Sequence, residues 1–196
     1  MRDFINRAFR YLVFIFLFIV FVKFDYLIEF LYVNEMMLYM VYIIVLIALL
    51  SFVRRLDKWM ATLNYKFPIQ AITSILLIFF LVHEMFTPYF YTDNYLKETG
   101  LEKIELYHDL SNQELSEEER SNLAKDALIK IQAHAYLVGQ YPVDPIEKVE
   151  IIDLKRNYYQ YELTVKGEHN GIEKRYTYTF EKEGLVFKIS GFAVQG

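Results

Sequence analysis

The chain has 196 residues, enough for one or two folded units, and it carries a net charge of −4 without a single cysteine. The missing cysteine excludes disulfides, zinc–thiolate sites, iron–sulfur clusters and cysteine nucleophiles. The charge is unevenly divided: residues 1–91 hold 8 Lys/Arg and 6 Asp/Glu, whereas residues 92–196 hold 13 Lys/Arg and 19 Asp/Glu. An acidic C-terminal part argues against nucleic-acid binding, which needs clustered Lys and Arg.

Three apolar segments predict a three-helix transmembrane region over residues 1–91, with spans at about 9–30, 36–53 and 67–91. The first apolar run follows a basic N-terminus and covers only residues 11–22, a rise of about 18 Å. No small-x-small cleavage site follows it, so we expect an uncleaved anchor rather than a signal peptide. The span must then extend past the end of the apolar run.

Ionisable residues lie at the ends of two predicted spans. Lys23, Asp25 and Glu29 are near or inside the first span, and His83 and Glu84 are in the outer part of the third. One hypothesis is a set of intramembrane polar contacts with a functional role. The favoured alternative places them at the membrane interface, with long side chains reaching the headgroups, because the first apolar run stops abruptly and polar residues soon follow the third.

The distribution of Lys and Arg predicts the orientation of the spans. The N-terminus has three arginines and the segment between the second and third spans has four basic residues, whereas the segment between the first and second has only Lys23. The N-terminus and the basic segment are therefore expected in the cytoplasm. Three spans then place the C-terminal part outside, in a multi-pass protein of the cell membrane. The basic segment RRLDKWMATLNYK is expected to form a short amphipathic turn at the membrane interface. A plain connecting loop is the favoured role for it, and lipid sensing is the alternative.

The polar part begins with a juxtamembrane stalk or short helix over residues 92–115 and continues as an α+β domain over residues 116–196. Ser116 and Glu119 form a capping box, which predicts a helix start. Apolar residues at helical spacing, which include Ile131 and Val138, mark one inward face and extend the prediction over residues 117–138, and Gly139 is the expected stop.

After residue 145 the hydrophobic period changes to two, which predicts four strands. We expect them at 146–154, 158–166, 172–180 and 185–194, joined by short loops and therefore antiparallel. The first strand has an ambiguous register, since either Val149 and Ile151 or Ile152 and Leu154 can face inward. The predicted fold is one long helix packed on a four-stranded meander. In architecture it resembles the cystatin-like or NTF2-like sheets that wrap one helix, without a motif that extends the resemblance to a family.

Sequence motifs for catalysis, cofactors or metals are missing. There is no Gly-x-Ser-x-Gly elbow, phosphate-binding glycine loop or His-Glu-x-x-His, and the four histidines are scattered. The most distinctive residues are strand tyrosines, because tyrosine is enriched at protein interfaces. Core packing is the favoured alternative for this candidate partner face. Its members are Tyr158, Tyr159, Tyr161, Tyr176 and Tyr178.

These observations predict a non-enzymatic integral membrane protein whose extracytoplasmic domain binds a partner protein or an envelope ligand. We expect it to act as a subunit of a bacterial membrane assembly of the secretion, conjugation, sporulation or transport type, or as a homo-oligomer. The alternatives are a membrane sensor or regulator, and a transporter or membrane-enzyme element that uses the intramembrane charges.

Overall fold

The computed structural model describes residues 2–23, 35–112, 114–139 and 143–195. The chain divides into two compact units, Met1–His83 and Glu84–Gly196. Within the described residues, three long helices account for the first unit, and an α+β arrangement accounts for the second. The last two residues of the third long helix belong to the second unit.

The first unit is built from helices α1 (Arg2–Lys23), α2 (Glu35–Ala61) and α3 (Lys66–Met85). All three are long and apolar enough to cross a membrane. Helix α2 does not end at Val53 but continues through the basic segment to Ala61, because that segment contains neither glycine nor proline to stop it. Helix α3 ends before Pro88, and a short 3₁₀ helix, Thr87–Phe90, follows.

Most apolar side chains of the three helices face outward. A small cluster is buried between the helices, whereas Ile44 and Ile47 of α2 are 65% and 58% exposed. A helix that is apolar on all sides is stable only when its surroundings are apolar too. The outward surface of these helices therefore requires lipid or another protein. The buried cluster consists of Phe9, Val13, Val53, Met60 and Leu77.

In the second unit, helices α4 (Asp93–Asp109), α5 (Glu117–Ala127) and α6 (Lys130–Leu137) accompany a four-stranded sheet. The strands are β1 (Glu147–Asn157), β2 (Gln160–His169), β3 (Ile172–Glu183) and β4 (Val186–Gln195). Their order is β1-β2-β3-β4 and every neighbouring pair is antiparallel, which confirms the predicted meander.

Alternate residues of a strand point to the same side of the sheet. The side chains on one face pack against the helices and form the core with them. Helix α4 contributes Leu96, Ile104 and Tyr107 to this core. At Gly100 the backbone of α4 comes so close to β2 that an added Cβ would overlap the Leu163 side chain. The buried sheet residues are Tyr161, Leu163, Val165, Tyr176, Tyr178, Phe180, Phe187 and Ile189.

The single helix predicted over residues 117–138 is wrong in its middle, where Leu128 and Ile129 are extended. Leu128 pairs in parallel with Ile189, and the Ile129 N–H donates to the Ile189 carbonyl at 3.0 Å. Because of this break, the residues of α6 do not continue the apolar face of α5. Consequently Ile131 and Val138, both predicted to face inward, are 75% and 59% exposed.

Both predicted helix ends are confirmed. The Ser116 hydroxyl accepts the Glu119 N–H while the Glu119 carboxylate accepts from the Ser116 backbone, so the capping box is complete. Gly139 follows α6 with φ of 77°, a left-handed conformation in which glycine carries no steric penalty.

A β-bulge resolves the ambiguous register of β1. Ile151 pairs with Val165 and Asp153 pairs with Thr164, which leaves Ile152 as the extra residue. Ile151 and Leu154 therefore both pack against the core, although they are three residues apart, and Ile152 is exposed.

Candidate partner-binding site

The candidate intramembrane residues are only partly within the described chain. Asp25 and Glu29 lie outside the described residues. Lys23 is the last residue of α1, and His83 and Glu84 lie in the last turn of α3. A contact between the charges of the first and third spans stays a prediction.

A polar cluster that sequence reasoning missed lies elsewhere in the first unit. Asp57 of α2 is 3.8 Å from the Arg10 guanidinium of α1 and 4.0 Å from the Lys66 amine of α3. It thus connects all three helices. In α3, Gln70 is buried, and its Nε2 has no hydrogen-bond partner among the described residues. The one signal in the sequence was an isolated acid among the basic residues 54–58.

The five tyrosines of the predicted partner face divide into a buried and an exposed set. Tyr161, Tyr176 and Tyr178 are buried in the core. The Tyr161 ring stacks on Phe180 with 4.7 Å between the centroids, and burial raises the pKa of the Tyr161 phenol. Tyr158 and Tyr159 lie in the turn between β1 and β2 and are 61% and 53% exposed. Only these two remain available to a partner.

His108 of α4 joins the core to the segment before β1. Its Nδ1 is 2.7 Å from the Asp144 carbonyl, which can only accept, so Nδ1 carries the proton. Nε2 then accepts from the Tyr178 hydroxyl at 2.6 Å. Burial lowers the pKa of His108, and a neutral imidazole is the form that satisfies both contacts. The arrangement positions Asp144, which precedes β1, and leaves no open nitrogen of His108 for catalysis.

Arg156 of β1 fixes the segment that follows α3. Its guanidinium donates to the carbonyls of Pro88 at 3.0 Å and Tyr91 at 3.1 Å. It also pairs with Asp93 in the first turn of α4, and this guanidinium holds the pKa of the Asp93 carboxyl below its usual value. The 3₁₀ helix and the start of α4 are thereby attached to the sheet.

The two edges of the sheet differ in how they are protected. Strand β1 has two register shifts and many charged residues, which are devices that prevent a further strand from pairing. The pairing of β4 with β3 has one register shift, at Ser190, and the α5–α6 junction covers the outer edge of β4 at Ile189. Among the described residues, no backbone–backbone hydrogen bond reaches this outer edge beyond Ile189. This part carries Phe192 and Val194, which are 43% and 50% exposed.

A shallow apolar groove runs beside the open part of β4. It contains a cavity of about 20 Å³, room for about one water molecule. Tyr136 and Gln132 of α6 lie on one side of it and Phe192 of β4 lies on the other. Gln132 donates to the Ser190 carbonyl at 3.0 Å, so α6 is held against the strand.

The extended pair Leu128–Ile129 shows that this edge accepts a strand. It forms a parallel bridge to Ile189 immediately before the open part begins. An extended peptide could continue along the open part of β4 from Gly191 to Gln195, past the bulge at Ser190, with side chains resting on the groove. No group of three or more potential metal ligands occurs among the described residues. The bridge at Ile189 and the groove beside it fit strand addition.

The described residues define a protein with three membrane-compatible helices and an α+β unit with one open sheet edge. No protein-family model, curated protein or solved structure matches this chain.

Proposed function

We propose that this chain is a non-enzymatic integral membrane protein whose α+β unit binds an extended segment of a partner protein at the open edge of β4. The observation that carries the proposal is that the same chain has two surfaces that call for a binding partner. Three helices present apolar side chains on their outer sides. In the described part of the chain, one sheet edge has no backbone–backbone hydrogen bond beyond Ile189 and carries exposed apolar residues. Lipid satisfies the first surface and a strand satisfies the second. Such a protein would serve as one subunit of a membrane assembly.

The proposed orientation has the N-terminus in the cytoplasm and the α+β unit outside. Support comes from the Lys/Arg distribution and from the proximity of Arg10, Asp57 and Lys66, which brings the basic residues of three helices to one end of the first unit. The same end would therefore face the cytoplasm.

Labelling of an Asn170→Cys variant tests this orientation. Asn170 is exposed at the β2–β3 turn, and the chain has no other thiol. We expect a membrane-impermeant maleimide to label intact cells as fully as permeabilised ones. A matched Lys58→Cys variant, in the basic segment, should be labelled only after permeabilisation. Reversed accessibilities would overturn the orientation.

A lysine at the open edge tests the binding site. Val194→Lys places a charge beside the strand that a partner would join, and we expect it to weaken partner retention about tenfold or more. The measurement is quantitative co-purification of the full-length protein from native membranes in mild detergent. The matched control is Ile152→Lys, an equally exposed β-branched residue on the protected edge, which should retain the partner.

Two results would count against strand addition at β4. One is equal loss or equal retention of the bound protein in both variants. The other is the absence of any stoichiometric protein on the unmodified chain. A bound species of the chain's own mass would identify a second copy as the partner.

A further inference from the structure

We propose that the end of the α+β unit that carries residues 86–90 is a lipid-contact surface that inserts into the headgroup region of the membrane. The surface, here called the aromatic tip, comprises Phe86, Tyr89, Phe90, Tyr158 and Tyr159. The inference rests on the proposed membrane placement of α3, and its occupant is the bilayer interface into which that helix leads.

The aromatic tip combines two parts of the chain that are distant in sequence. The Phe86 ring lies one residue beyond the end of α3, and its centroid is 6.0 Å from that of Tyr158 in the β1–β2 turn. The Tyr89 hydroxyl donates to the Arg156 carbonyl at 3.3 Å. Since Arg156 also holds Pro88 and Tyr91, the turn has a fixed position beside the residues that leave the helix.

The rings of the tip are available to a ligand. Tyr89 and Phe90 are 55% and 48% exposed, and Tyr158 and Tyr159 are more than half exposed. Tyrosine has an apolar body and a polar hydroxyl, so it is enriched where hydrocarbon meets headgroups.

The conformation of Tyr158 strengthens the inference. Its φ is 52°, in the left-handed region that disfavours bulky side chains and favours glycine or asparagine. The other two hairpins use those residues, with Asn170 and Gly171 in the β2–β3 turn and Gly184 in the β3–β4 turn. Of the three hairpin turns, only the β1–β2 turn has a tyrosine in this conformation, which points to a role for the ring itself.

The β3–β4 turn adds a further apolar residue at the same end of the sheet. In a meander, the first and third turns lie at one end and the second at the other. The first and third turns expose Tyr158, Tyr159 and Leu185, the last of which is 80% exposed. The tip of the second turn is Asn170–Gly171. Tyrosine therefore occurs in the turns at one end of the sheet and not in the turn at the other end, where Ile172 beside Gly171 is 60% exposed.

Depth-dependent fluorescence quenching tests the inference with the full-length protein in lipid vesicles. In a Trp59→Phe background, tryptophan is introduced by Tyr158→Trp, and the vesicles contain phospholipid brominated near the headgroup end of its acyl chains. We expect a blue-shifted emission and a loss of intensity relative to unbrominated vesicles. Tyr159→Trp, at a turn position outside the left-handed region, is the second reporter should Tyr158→Trp fail to fold.

Two matched positions separate this inference from the membrane placement of α3. Asn170→Trp, at the opposite end of the sheet, should show no quenching. Phe79→Trp, inside α3, should be quenched if that helix lies in the bilayer. Quenching at position 79 without quenching at 158 or 159 overturns the lipid contact while the membrane placement stands. The absence of quenching at all positions overturns both, and equal quenching at 158 and 170 overturns the assignment to one end.

Discussion

Replacing Arg156 with alanine is expected to lower the free energy of unfolding of the α+β unit by about 2–4 kcal/mol. The guanidinium is mostly buried, with 22% of its side chain exposed, and it donates to the carbonyls of Pro88 and Tyr91. Removal leaves these two carbonyls without their charged donor and releases the start of α4 from β1. A hydrogen bond to a charged group contributes more than a neutral one, which is why the expected loss exceeds that of an ordinary surface change.

Native-state hydrogen exchange of the buried amides in β2 measures this change in the full-length protein. Arg156→Lys keeps the charge but loses the planar fork that reaches two carbonyls at once, so an intermediate loss is expected. Arg175→Ala is the matched control, because Arg175 is exposed on the neighbouring part of the sheet and should change stability by less than about 0.5 kcal/mol. Similar losses of stability for Arg156→Ala and Arg175→Ala would show that the Arg156 contacts do not hold the start of α4 on the sheet.

Valine at Gly100 is expected to destabilise the same unit by about 2–3 kcal/mol, because its Cβ and methyl groups need space that Leu163 occupies. The Leu163 side chain is fully buried and the Tyr161 hydroxyl lies 3.3 Å from the position of the added Cβ, so neither group can move aside cheaply. Gly100→Ala should cost less, since alanine has a helix propensity about 1 kcal/mol better than glycine.

A double-mutant cycle with Leu163→Ala identifies the contact. Leu163→Ala alone should cost about 2–5 kcal/mol, and the pair should cost less than the sum because the smaller residue makes room for the valine. Gly191→Val serves as the control substitution, as an added Cβ there meets no atom within 4 Å. Strict additivity of the pair, measured by the same hydrogen exchange, would show that α4 does not approach β2 at this point.

The sheet could be predicted because each of its strands and turns is indicated by residues that are close together in the sequence. Alternating apolar residues define each strand, and short polar segments with glycine define the turns. The bulge at Ile152 was not predictable, since a run of Val149, Ile151, Ile152 and Leu154 supports two registers and only the partner strand selects one. The break at Leu128–Ile129 was hidden for a similar reason. Both residues fit a helix, and it is the hydrogen bond to Ile189, far away in sequence, that extends them.

The candidate sites were less predictable than the fold. Tyr158 was assigned to a strand, whereas it occupies a turn whose left-handed conformation nothing in the local pattern indicates. The contacts of Arg156 join residues more than 60 positions apart, so no spacing rule finds them. Three of the five candidate tyrosines are buried in the core. The alternation of apolar residues along a strand shows which side chains share a face of the sheet, but it does not show whether helices cover that face.

The unequal edges of the sheet have a consequence for assembly. A sheet with two open edges can add copies head to tail without limit, and the product is a filament. Here the bulges and charges of β1 close one edge, so an association through β4 is complete after one addition. Two copies joined by their β4 edges would form a closed pair with two-fold symmetry, and a partner strand at β4 would exclude that pair. If the proposed strand addition occurs, the fold would limit it to a single event at β4, for which the proposed partner and a second copy would compete.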